Sequence, residues 1–233
     1  IVKRMGGGFG GKESQAAHYA ALAALVAHKL KRPARLCLTK DEDMLMTGKR
    51  HPFKNYYEVG FNDDGKILAL KFKLIADGGA YTDLTPSILD RALFHADGCY
   101  YLENICVEGV AVRTNHQSHT AFRGFGGPQG NLAIESLIED IAIYLKKDSY
   151  EIRRLNLYQD RKNTTHYGQE ITHNVLPEIF DTLYKEAEYK ERLQAIVEFN
   201  EKKCGKIRGL SLTGCKFGIA FTARFLNQGN ALV

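Results

Sequence analysis

Apolar residues recur along this chain with two spacings. Between residues 14 and 29 alanine dominates, with Leu22, Leu25 and Val26 interspersed, so nearly every face of a helix there is apolar. High helix propensity with all-round apolarity predicts a mostly buried helix, ended by Pro33. Ile134, Leu137, Ile138, Ile141 and Leu145 fall on one stripe and predict a second helix. Asp148 with Glu151 three residues later resembles a capping box for a helix reaching residue 158. Helical pattern resumes over 175–203, and residues 41–46 add a helical turn. Alternation of period two marks Tyr57, Val59 and Phe61, then the turn Asn62-Asp63-Asp64-Gly65, then Leu68, Leu70, Phe72 and Leu74. That pattern reads as an antiparallel hairpin. Residues 104–114 read as a strand with Ile105, Val107, Gly109, Ala111 and Arg113 on one side, and residues 34–39 and 210–222 as further strands. These elements lack a regular strand–helix–strand rhythm. The expected class is α+β, with a mixed, mainly antiparallel sheet and packed helices.

Composition narrows the function classes. The 233 residues carry a formal charge of +5 spread along the sequence, with no basic run to track a phosphate backbone, so nucleic acid is not an expected partner. No apolar run reaches the roughly 18 residues of a membrane span. The five cysteines (Cys37, Cys99, Cys106, Cys204 and Cys215) are odd in number and form no C-x-x-C pair, which points to reduced thiols in the cytoplasm. His116 and His119 have three-residue spacing, but no nearby carboxylate or third ligand completes a zinc site, so a hydrogen-bonding role is expected. Both ends read as interior parts of elements, as in a piece of a larger protein. The polar segment 159–174 is the candidate surface loop or subdomain boundary.

The most informative stretch is GGGFGGKES, residues 6–14. Gly6, Gly11 and Lys12 fit a phosphate-binding P-loop until Glu13, which stands where a hydroxyl would hold magnesium. Gly6, Gly8 and Gly11 also satisfy G-x-G-x-x-G, but no acidic residue closes a second parallel strand at the expected spacing. A strand-to-helix turn would need only one or two glycines. Five around one phenylalanine let the backbone press against a bulky ligand and aim N–H groups at anionic oxygens. A second stretch, AFRGFGGPQG at 121–130, repeats the device with Phe122, Arg123, Gly124, Phe125, Gly126 and Gly127. Two such loops point to one shared cofactor pocket.

With TGKRHPF (47–53), RALFHADGCY (91–100), TAFRGFGGPQG (120–130), THYGQ (165–169), KFGIAFT (216–222) and FLNQGNALV (225–233), these motifs resemble, in order, the molybdenum-cofactor portion of xanthine dehydrogenases. The resemblance runs through essentially the whole chain, so residues 1–233 are expected to form part of a larger molybdenum-cofactor-binding domain. It implies hydroxylation of purines such as hypoxanthine and xanthine, with oxygen from water. The implied cofactor is a molybdenum–molybdopterin whose metal carries oxo and sulfido ligands, with iron–sulfur clusters, FAD and NAD in other segments or subunits of a dimeric parent. Gly8, Phe9, Gly10 and Arg123 would border the cofactor, the backbone of Phe9 and Arg123 lying beside the metal. Glu13 would orient the purine, and Arg91 would stabilise negative charge developing on it. Phe125 and Phe221 would sandwich the ring, with the Thr222 hydroxyl beside them. The general-base glutamate belongs to a segment beyond residue 233, so the chain is expected to be inactive alone. An aldehyde oxidase of broad specificity is the alternative within the same resemblance.

Overall fold

The computed structural model describes residues 8–11, 13–203, 205–222, 225 and 227. Its centre is a three-stranded sheet of β1 (Phe53–Phe61), β2 (Ile67–Gly79) and β3 (Ile105–Arg113), in that spatial order. β1 and β2 are antiparallel, whereas β2 and β3 are parallel. The hairpin forms at the expected turn, where Asn62 Oδ1 accepts from the N–H groups of Asp64 and Lys66, and Gly65 takes the left-handed φ of 91°. The parallel pair needs a crossover, supplied by the segment containing α3 (Thr85–Phe94). The sheet is mixed, as the residue pattern suggested, with one pair of each kind among the described residues.

β2 buries Leu70, Phe72, Leu74 and Ala76 and exposes Lys71 and Lys73, so one face of the sheet carries the core. At the hairpin end a register shift between Gly60 and Phe61 reverses the alternation. Ile67 is therefore buried and Leu68, expected inward, is exposed. Against this face pack α3 and α4 (Gly127–Leu145), and α5 (Ser149–Asn156) packs on α4. The stripe of α4 behaves as its spacing demands, with Ile134, Leu137, Ile138 and Ile141 all essentially inaccessible. Each such side chain is worth about 1.5–3 kcal/mol of burial. Asp148 does cap α5, accepting from Tyr150 N–H.

A charged group, Arg153, penetrates this core. Arg153 is 1% exposed and donates to Glu135 at 2.8 Å, Glu139 at 2.6 Å and Ser149 Oγ at 2.8 Å. Burial opposes its charge, but the bonds to Glu139 and Glu135 outweigh that and leave its pKa raised. The arrangement clamps α5 onto α4.

The remaining elements depart from expectation. α1 (Ala16–Leu30) forms but has no buried residue, and Leu22, Leu25 and Val26 are about half exposed. Propensity alone suffices for the helix, while burial needs an apolar surface against it, and no described element packs there closely. α2 (Lys40–Met46) is fixed by a capping box between Thr39 and Glu42. Residues 34–39 and 210–222 run without ladder hydrogen bonds and are not strands, because neither lies along a sheet edge. The helical pattern after 175 divides into α6 (Leu176–Glu186) and α7 (Tyr189–Glu201), broken where Glu188 adopts a φ of 50°.

Candidate cofactor and substrate site

The two glycine loops meet. A Cβ on Gly10, whose φ is 89°, would collide with the carbonyl of Ala121 and with Phe122 Cα, so only glycine permits this backbone-on-backbone contact. Gly6, Gly7 and Lys12 of the first motif lie outside the described residues. The outer side of the loop is open, since a Cβ on Gly8 would have no neighbour within 4 Å. The phenylalanine in each loop sits between glycines with a left-handed backbone, φ 51° for Phe9 and 52° for Phe125. Such strain in a non-glycine residue persists only where surrounding structure imposes it. Arg123 places its guanidinium 5.8 Å from the Phe9 ring centroid, joining the loops a second time.

Polar bonds fix this meeting from behind. Asp83 accepts from Ser14 Oγ at 2.8 Å, Gln15 Nε2 at 2.6 Å and Thr120 Oγ1 at 3.2 Å, so one carboxylate ties the end of the first loop to the approach of the second. Gln15 also accepts from Gly48 N–H at 2.9 Å. Arg50 donates to the Arg123 carbonyl at 2.6 Å and stacks over Phe122. Beside the first loop lies a cleft of about 720 Å³, with Gly10, Gln15, Tyr19, Thr47 and Phe122 among its walls.

The second loop passes directly into α4. Gly126 and Gly130 bring that helix against α3, where any Cβ would strike the carbonyls of Ile88 and Ala92. α3 in turn carries Arg91, only 7% exposed. Arg91 donates to the carbonyl oxygens of Gly218, at 2.5 Å, and Ala220. His95, one turn later, accepts from Gly218 N–H through Nε2, which leaves its Nδ1–H to donate to the Arg91 carbonyl. Burial keeps its pKa below the ordinary histidine value, in keeping with a neutral ring. The segment 216–222 is further fastened by Lys216, paired with Asp97. That aspartate is 1% exposed and also accepts from Tyr158 OH. Burial works to raise its pKa, but His166, Lys216 and Tyr158 hold it below the ordinary aspartate value.

Held this way, the segment delivers Phe221 to Phe125. Their ring centroids are 5.2 Å apart at an interplanar angle of 49°. A ring stacked between two others needs about 7 Å, twice a van der Waals contact of ~3.5 Å. The pair therefore touches, and a further planar ring would enter only by parting the two or by lying at their edges. Thr222 Oγ1 lies 3.4 Å from the Ser87 carbonyl of α3. Glu13 is exposed, at the turn between the first loop and Ser14. Sequence reasoning had not singled out Asp83, Gln15, Arg50, Asp97 or Lys216. The last two and Arg50 do lie within recognised motifs, whereas Asp83 carried no local signal.

The structure thus brings together two glycine–phenylalanine loops in backbone contact, a buried arginine and a touching aromatic pair. The molybdopterin cofactor-binding domain family matches residues 1–157, and the chain belongs to that family. Over 232 residues it is 46% identical to the xanthine dehydrogenase/oxidase of Rattus norvegicus and 44% identical to the xanthine dehydrogenase of Oryza sativa subsp. japonica. Each alignment covers 100% of this chain and 17% of the relative's length. Among solved structures, the aldehyde oxidoreductase from Desulfovibrio desulfuricans ATCC 27774 superposes with a TM-score of 0.73 at 32% identity, covering 83% of this chain and 21% of that one.

Proposed function

We propose that this chain forms the purine-facing and cofactor-facing wall of a cytoplasmic molybdenum hydroxylase that converts hypoxanthine to xanthine and xanthine to urate. The observation that carries this reading is the contact of the two glycine loops next to the Phe125–Phe221 pair. The open outer side of Gly8 fits a bulky cofactor pressed against main chain. The backbone of Gly8, Phe9, Gly10 and Arg123 would hold it, N–H groups satisfying its anionic oxygens. When bound, the molybdenum–molybdopterin supplies two-electron oxidation with insertion of a water-derived oxygen.

The chain's own side chains then handle the purine. Glu13 hydrogen-bonds the ring and fixes its orientation and tautomer. Arg91 answers negative charge developing on the purine, a carbonyl of the ring taking the place of one backbone carbonyl it now serves. Phe125 and Phe221 hold the faces and edges of the ring, and Thr222 offers a hydroxyl beside them. The general base, the iron–sulfur clusters, FAD and NAD reside in other segments or subunits of a dimeric protein, and the chain alone does not turn over purines.

The test replaces Glu13 by Gln and Arg91 by Met, singly, in the full-length protein and compares kcat/KM for xanthine and benzaldehyde. The expected result is a drop of about 10²–10³-fold on xanthine with benzaldehyde turnover retained. Equal loss on both substrates, with molybdenum content falling, would withdraw the purine assignment. Similarity to an aldehyde oxidoreductase structure supports a broad-specificity aldehyde oxidase as the second reading, and faster benzaldehyde than xanthine turnover by the unmodified protein would favour it.

A further inference from the structure

At the far end of β2, Asp77 divides its two oxygens between different tasks. Oδ1 accepts from Gly79 N–H at 2.9 Å and from Thr114 Oγ1 at 2.6 Å, which fixes the plane of the carboxylate. Oδ2 is left for two histidines on the loop after β3. His116 Nδ1 lies 2.6 Å from it and His119 Nε2 3.8 Å. One ligand atom from each of the three residues falls within 4.8 Å of the others. The carboxylate that seemed missing beside the H-x-x-H spacing is thus supplied from 39 residues away.

His119 is the telling member. Its side chain is 9% exposed, and neither ring nitrogen makes a well-formed hydrogen bond among the described residues: Nε2 stands 3.8 Å from Asp77, and the only other polar group acting on the ring at bonding range is the Lys49 backbone. Buried polar atoms in that state call for a missing partner. Its neighbour His51, 5.7 Å away between ring centroids, makes no hydrogen bond to it: His51 Nε2 is engaged with Thr85 Oγ1, and His51 Nδ1 is itself buried without a partner among the described residues. Water could satisfy one nitrogen, but the convergence of two imidazoles on one carboxylate oxygen suits a cation better than a neutral ligand.

We propose that Asp77, His116 and His119 form a divalent transition-metal site, best matched to zinc. Two imidazole nitrogens and one carboxylate oxygen are a borderline donor set that zinc accepts, with a fourth position left open. Zinc bonds of about 2.0–2.2 Å place tetrahedral ligand atoms ~3.4 Å apart, so the separations to Asp77 need adjust by less than about an ångström. His116, with a side chain 69% exposed, provides both that adjustment and the entry path. The bonds from Thr114 and Gly79 to the other carboxylate oxygen are the outer support that metal-binding carboxylates require. None of the three ligands belongs to the set assigned to purine or molybdopterin. Their role is to pin the end of β2 to the segment entering the second glycine loop, because His119 immediately precedes Thr120 and its bond to Asp83.

The test uses the full-length protein, stripped with EDTA, given one equivalent of zinc sulfate and passed through gel filtration. Zinc per protomer is read by plasma mass spectrometry and melting temperature by calorimetry. The wild type is expected to retain one equivalent and to melt higher with zinc. Asp77→Asn and His116→Ala should each lose the equivalent and the shift, and Thr114→Ala should weaken binding about tenfold. The exposure of His116 keeps its variant folded, which circular dichroism verifies. Failure of the wild type to retain zinc, or retention by either Asp77→Asn or His116→Ala, overturns the proposal.

Discussion

The sheet with α3, α4 and α5 and the loop face around α1 are built from similarly apolar sequence, yet only the first closes on itself. Phe72, Leu74, Leu137 and Ile138 are sealed between sheet and helices, whereas Leu22, Leu25, Val26 and Phe9 remain substantially exposed. The core is held by side-chain packing, while the loop face is held by backbone contacts and a few charged bonds to Asp83 and Asp97. The difference teaches that apolarity specifies burial only where a second surface is present to receive it. Glycine contacts and well-bonded carboxylates can position a loop face with little apolar packing beneath it.

That contrast can be broken most severely at Arg153. Arg153→Ala leaves Glu135 and Glu139 facing each other without their cation, and a loss of about 3–5 kcal/mol is expected in urea unfolding. Leu137→Ala removes a fully buried side chain and should cost about 2–5 kcal/mol by the same measurement. On the loop face the expected signature is a pH dependence. Asp97 has a depressed pKa in the fold, so its contribution is present above the ordinary aspartate value of 3.8 and lost as pH falls below it. Asp97→Asn should therefore flatten the acid limb of the stability–pH curve, and an unchanged limb would refute the role given to the Lys216–Asp97 pair. Smallest of all is Leu25→Ala on α1, where a change within about 0.5 kcal/mol is expected for this chain. A loss comparable to Leu137→Ala in the full-length protein would show that another segment covers α1 there.

Where the physics is local, the residues announced the structure. The hairpin followed from Asn62 and Gly65, and the buried stripe of α4 from its spacing. Departures arose wherever a distant partner decides. Leu68 and Ile67 exchange roles because Leu68 is the extra residue of a bulge, left without a partner in β1. Residues 34–39 and 210–222 have strand-like composition but no edge to join. The pairing of Asp77 with His116 spans a long stretch that no local pattern reports, and Phe125 was placed near Phe221 only through the resemblance. The glycine loops were visible as unusual composition, but their contact at Gly10 and Ala121 was not. Arg91 carried no sign of its grip on the 216–222 segment.

The contact of Gly10 with Ala121 has an evolutionary consequence. Any side chain at Gly10 is vetoed twice, by the collision and by the left-handed φ, and Gly126 is barred in the same way by Ile88. The meeting of the two loops is therefore frozen as bare main chain. On the proposed reading, diversification of what this architecture accepts would proceed through side chains such as Glu13, Phe125 and Phe221 and not through these glycines.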